Sequence, residues 1–284
     1  RERIRSTKST HKITGAMKLV AVSKLRRAQD AIVQARPYAN ALSGLLKRVS
    51  ARTSENGDMV EHPFLGRRPI RRALLLVMTS DRGLCGGFNT QIIRAAEQFL
   101  RDNQSRYDEI EVGTIGRKGY EYFRKKEHKP VQHFLGVFEH LSYERAEEIG
   151  LGMAQAFAER KLDAVFLLYN AFHSSISQKV SIDQMLPIDP AELPDTGRVD
   201  YLYEPEREVL LDTLIREYVA VGVWRALLES SASEHGARMS AMDAATKNAK
   251  ELIGALTLQY NRARQQAITR ELMDIVGGAE ALQS

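Results

Sequence analysis

An α/β fold is predicted, in which a long antiparallel coiled coil of N- and C-terminal helices accompanies a Rossmann-like α/β domain. Three observations predict it. Apolar residues at both ends of the chain recur in alternating steps of four and three. Between about residues 70 and 190 short apolar runs alternate with helical stretches. The two periodic ends lie far apart in sequence, so they can pair antiparallel within one chain.

The first segment, 1–56, has a seam at Ala21, Leu25, Ala28, Ile32, Ala35, Ala39, Leu42, Leu46 and Val49. All are apolar, and no strand gives this period. Continued towards the N-terminus, the same register meets Lys18, Thr14, His11 and Thr7, so the first turns lack a dry seam. Pro37 predicts a kink. The last segment, 206–284, repeats the alternation from Leu228 through Ala232, His235, Met239, Met242, Thr246, Ala249, Ile253, Leu256, Tyr260 and Ala263 to Ala267. After Ala267 the stripe moves to Ile268, Leu272, Ile275, Ala279 and Leu282, so the last turns face a different neighbour. At 1.5 Å per residue such a helix spans on the order of 100 Å and must protrude from a domain of this size. A parallel homodimer is the alternative, since heptads alone do not fix orientation.

Within 70–190, strands are expected at 73–78, 110–115 and 164–169, with 180–186 as a hairpin partner of the last. Helices are expected at about 90–101, 120–126 and 142–160, the last capped by Ser142. The alternation implies a mostly parallel sheet.

Between the first strand and the helix after it lies TSDRGLCGGFNT, Thr79 to Thr90. Strand, glycine turn and helix is a layout that often cradles phosphate. Here it matches neither nucleotide-binding glycine pattern. No Lys follows the glycines, and Asp81 would repel a polyphosphate. A structural turn, with glycines permitting close backbone packing against the long helices, is the better reading. Gly116-Arg117-Lys118-Gly119 reads as a solvated turn. No catalytic constellation stands out. The seven histidines are scattered without metal-ligand spacing, and His235 reads as a packed seam residue. Cys85 is the single cysteine and has no CxxC partner. No catalytic residue, metal site or cofactor is expected.

The charge is uneven. Residues 1–50 carry twelve Lys and Arg against Glu2 and Asp30, in a chain whose net charge is only +5. A basic first segment calls for an acidic partner. No apolar run approaches the roughly 20 residues of a membrane span, so membrane contact is expected to be peripheral. A basic coiled coil that binds nucleic acid is an alternative. It would need Lys and Arg along one face with interleaved aromatics, whereas here the basic residues are spread around the helix.

The stretches ITGAMKLVAVSKLRRAQ, TSDRGLCGGFNT, DYLYEP, SEHGARMSAMDAATKNA and LTLQYNRARQQAITREL resemble the gamma subunit of F-type ATP synthases, essentially end to end. The resemblance implies a non-catalytic rotor shaft. Its coiled coil stands inside an alpha3-beta3 hexamer (F1, CF(1)), and its foot rests on the membrane c-ring beside an epsilon-type subunit. It implies hydrogen ion transport coupled to ATP synthesis, no cofactor, no nucleic acid and no direct small-molecule substrate. By resemblance the beta-subunit catch and lever contacts are Arg264, Gln265, Thr269 and Glu271, with Met17, Lys18 and Arg238. The foot is Tyr201, Tyr203 and Glu204. The expected location is the cytoplasmic face of a bacterial inner membrane, with a mitochondrial matrix face as the alternative. Chloroplast relatives carry a redox cysteine pair, and this chain has only Cys85.

Overall fold

The computed structural model describes residues 1–55, 63–65, 69–174, 177–189 and 207–281. Two long helices, α1 (Glu2–Glu55) and α5 (Arg207–Ala281), bracket β1 (Arg72–Met78), α2 (Phe88–Asn103), β2 (Glu109–Ile115), α3 (Arg117–Phe123), β3 (Pro130–Phe134), α4 (Tyr143–Ala158), β4 (Ala164–Phe172) and β5 (Gln178–Leu186). The chain divides into two compact units. One is Val22–Arg238; the other is Arg1–Ala21 with Met239–Ser284.

In the larger unit the sheet order is β3-β2-β1-β4-β5. β1 to β4 run parallel, and β5 returns antiparallel along β4 as its hairpin partner. β1 is buried at every position but its first, as a central parallel strand must be. Its alternate residues serve two cores. Ala73, Leu75 and Val77 meet Ile92 and Ala96 of α2 and Phe123 of α3. Leu74, Leu76 and Met78 face Leu46 and Val49 of α1, Met153 and Phe157 of α4, and Leu211 and Ile215 of α5. The long helices therefore form one cover of the sheet. Their approach is close: a Cβ on Gly150 of α4 would lie 2.9 Å from Ala220 Cα of α5. Within this unit Leu25, Ala28, Ile32, Leu42, Leu46 and Val49 are all buried, as the α1 seam requires.

The smaller unit is an antiparallel helix pair. Arg1 Nε donates to Tyr260 Oη at 2.7 Å, Thr246 Oγ1 donates to Thr14 Oγ1 at 2.8 Å, and Lys18 Nζ meets Asp243 at 2.7 Å. Numbers rise along α1 as they fall along α5, which sets the orientation. Thr14 and Met242 are buried between the helices. The wet first turns expected from the register are thus a threonine–threonine bond flanked by an ion pair.

One difference from the sequence reading stands out: β3 was not expected. Helix α1 includes Pro37 in its interior. Pro37 and Val33, whose carbonyl loses its helical donor, are both exposed, so water can satisfy that oxygen.

Candidate functional site

In an open parallel sheet, ligands bind beyond the carboxyl ends of the strands where the order reverses. Here that point lies between β1 and β4. It is filled from within. Ser233 Oγ of α5 donates to Asn170 O on β4 at 3.0 Å. One turn on, Arg238 Nη2 donates to the carbonyls of Arg82 and Gly83 in the glycine loop, at 3.2 Å each.

The start of the loop is tied to its neighbours. Asp81 Oδ1 accepts from Arg117 N at 3.0 Å and from Gly136 N at 3.2 Å, so a carboxylate of the chain itself caps the start of α3. Asn89 Oδ1 accepts from Ser80 N at 2.9 Å, and its Nδ2 donates to Ser80 Oγ and to Cys85 Sγ. Thr79 Oγ1 accepts from Gly119 N at 2.8 Å. The crossing of Thr79 by Gly116 is tight: with φ +90, a Cβ there would sit 2.0 Å from Thr79 O. Gly86 adopts φ 57, which favours glycine, while the exposed Leu84 takes φ 65. The turn is thus held to α5 through the Arg238 side chain, whereas a Cβ on Gly83 would meet nothing and one on Gly87 would lie nearest Gln91, so these two glycines do not serve the close packing against the long helices that the sequence reading expected.

Around Arg238 the electrostatics are those of a packed joint. Its Nη1 donates to Glu234 Oε1 at 2.6 Å, and the Arg238 side chain is 11% exposed. Burial nevertheless raises the Glu234 carboxyl, outweighing the lowering by Arg238. His235 lies on the same turn, its Nδ1 3.3 Å from Arg238 Nη1. Cys85 is 2% exposed, and burial pushes its thiol up, the opposite of an activated nucleophile. Among the described residues no cluster of three metal-ligating side chains exists.

The residues marked by resemblance fall into separate places. Arg238 is engaged by the glycine loop. Lys18 is paired with Asp243, and Met17 is half-buried beside it. Arg264, Gln265, Thr269 and Glu271 are exposed on α5, where Thr269 Oγ1 bonds Gln265 O. Arg264 and Glu271, one heptad apart, share a helix face. They stand about 30 Å and about 40 Å along α5 from Asp243, at 1.5 Å per residue. Tyr201, Tyr203 and Glu204 lie outside the described residues. Every described side chain from Arg262 to Val276 is exposed, including Ile268, Leu272 and Ile275. Sequence reasoning missed Glu234 and Ser233, because a carboxylate and a serine on a helix look solvated until the partner strand is known.

The chain is similar to known proteins. A family model described as ATP synthase matches residues 1–282. The ATP synthase gamma chain of Anaeromyxobacter sp. (strain Fw109-5) is 53% identical over 283 residues, covering 99% of this chain and 97% of that one. The gamma chain of Geobacter sp. (strain M21) is 47% identical with the same coverage. Among solved structures, a chain of the Tetrahymena thermophila mitochondrial ATP synthase central stalk and c-ring matches with a TM-score of 0.65 at 27% identity, covering 82% of this chain and 99% of that chain. A chain of the Euglena gracilis mitochondrial ATP synthase shares the fold, with a TM-score of 0.70 at 21% identity over 99% and 93%. The chain therefore belongs to the ATP synthase family, among its gamma chains.

Proposed function

We propose that this chain is the central rotor shaft of an F1Fo ATP synthase, turning with the membrane c-ring inside an alpha3-beta3 hexamer and carrying out no chemistry itself. The observation that carries the reading is the exposed stretch of α5 from Arg262 to Val276. An apolar stripe of Ile268, Leu272 and Ile275 with no neighbour among the described residues needs a partner to cover it. A sleeve at the top of the hexamer fits that need, since a bearing requires smooth apolar contact. Arg264, Gln265, Thr269 and Glu271 supply polar contacts that differ with rotational position. Met17 and Lys18 supply the contact of the opposite helix with the lever region, Arg238 a further polar contact, and Tyr201, Tyr203 and Glu204 the foot towards the c-ring and epsilon-type subunit. The domains in this reading are the helices 1–56 and 206–284 and the α/β domain 70–190.

A shaft works through differential contact. It shifts a catalytic subunit only by as much as its contacts differ between that subunit's states, and inverting a 1:99 equilibrium takes about 5.5 kcal/mol. Among the described residues no helix is long and apolar enough to cross a membrane. Attachment to the cytoplasmic face of a bacterial inner membrane therefore runs through the complex. The nucleic-acid-binding alternative has no support among the relatives, which are ATP synthase gamma chains.

The test is purification of the tagged chain from its native membrane. Alpha, beta, epsilon-type and c subunits should co-elute in fixed ratio. Recovery of the chain alone, or with nucleic acid, would contradict the assignment.

A further inference from the structure

A cavity of about 640 Å³ opens between α1, the start of α4 and the first half of α5. That volume lies within the range of small-molecule sites. Its apolar floor includes Ile32, Val221 and Leu228, and three aromatic residues, Tyr38, Tyr143 and Trp224, line it. Trp224 meets Tyr143 edge-on, with ring centroids 6.2 Å apart.

The polar centre is Glu217. Its Oε1 accepts two phenol hydrogens, from Tyr143 at 2.6 Å and from Tyr38 at 2.9 Å. Among the described residues its Oε2 takes no hydrogen bond and its carboxylate forms no ion pair. Desolvation, then the bond to Glu217, raises both phenols, so they remain protonated donors and bring no compensating charge. Of the two arginines at the cavity, Arg225 is held by Glu229 at 3.0 Å. Arg36, on the exposed side of α1, has no carboxylate partner among the described residues and is the cation a ligand must compete with. A carboxylate fixed by neutral donors, with one oxygen open and aromatic rings around it, is the arrangement that receives organic cations.

We propose that this cavity binds a small amphipathic organic cation, an alkyl- or aryl-ammonium, with Glu217 as counter-ion and Trp224, Tyr38 and Tyr143 as its aromatic wall. The proposal is independent of the rotor role.

Trp224 is the chain's only tryptophan, so its emission reports occupancy of the cavity directly. The experiment titrates the full-length chain with benzyltrimethylammonium, using benzyl alcohol and phenylacetate as neutral and anionic controls. The cation should give a saturable change and bind about tenfold more tightly than either control. Glu217→Gln keeps an acceptor for both phenols and should weaken the cation about tenfold without changing the controls. Ala35→Leu narrows the cavity from the α1 side and should remove binding of all three. The proposal is overturned by no saturable change with the cation up to about 10 mM. Equal or tighter binding of a control overturns it too, the anion in particular pointing to Arg36. So does cation affinity that survives Glu217→Gln or, should that variant not fold, Ala35→Leu.

Discussion

Burial lowers the His235 imidazole to about 4, and the charges of Arg238 and Lys24 push it the same way. The folded chain therefore holds this side chain neutral where the unfolded chain, near 6.5, takes up a proton. Stability from this group is fully present above about pH 6.5 and is lost as pH falls towards 4, by about 3 kcal/mol at most. Glu234 acts in the opposite sense: its raised carboxyl favours the folded state at low pH and withdraws that support as pH rises. His235→Gln separates the two. Between pH 7 and 4 the wild type should lose up to about 3 kcal/mol relative to the variant in denaturant unfolding. Parallel pH profiles would show that His235 does not titrate within the joint. Cys85 yields a simpler expectation. Its thiol is buried and raised, so Cys85→Ala should leave ATP hydrolysis by the assembled complex within about tenfold, or 1.4 kcal/mol of barrier. A collapse of turnover with intact assembly would contradict the structural reading of the glycine loop.

At the scale of elements, the contact of α4 with α5 depends on Gly150. In an isolated helix Gly→Ala is favourable by about 1 kcal/mol. Here the new methyl meets the Ala220 backbone at 2.9 Å, which cannot rotate away as a side chain could. Gly150→Ala should therefore destabilise the chain, by about 1–3 kcal/mol, measured as a fall in denaturation midpoint. A gain in stability would mean that the helices separate freely. The legibility of each element followed its length and periodicity. The α1 seam was readable because six buried positions, Leu25 to Val49, repeat one register over many turns. β1 and β4 were readable as unbroken apolar runs. β3 was not: Pro130-Val-Gln-His-Phe is five residues at a sheet edge, begins with Pro and carries the exposed Val131, so it offers no run and no burial to detect. Asp81 was legible as a negative charge at the end of β1, but its bonds to Arg117 N and Gly136 N join residues 36 and 55 positions away. Only the assembled sheet brings those amides to it.

For the whole molecule, the filled crevice at β1 and β4 and the exposed end of α5 point the same way. The α/β unit has its ligand position occupied by Ser233 and Arg238, so the isolated chain should show no ATP hydrolysis. Turnover by pure chain that disappears on changing Gly86 or Gly87 would contradict that. The division of α5 into a polar catch and an apolar bearing is tested most directly by specific activity normalised to assembled complex. Arg264→Ala and Glu271→Ala should assemble normally and lower turnover on the order of tenfold, about 1.4 kcal/mol each. Removal of residues 277–284 should weaken assembly while leaving turnover per assembled complex nearly unchanged. A truncated chain that assembles normally but stalls, beside Arg264 and Glu271 variants that assemble poorly yet turn over normally, would contradict it.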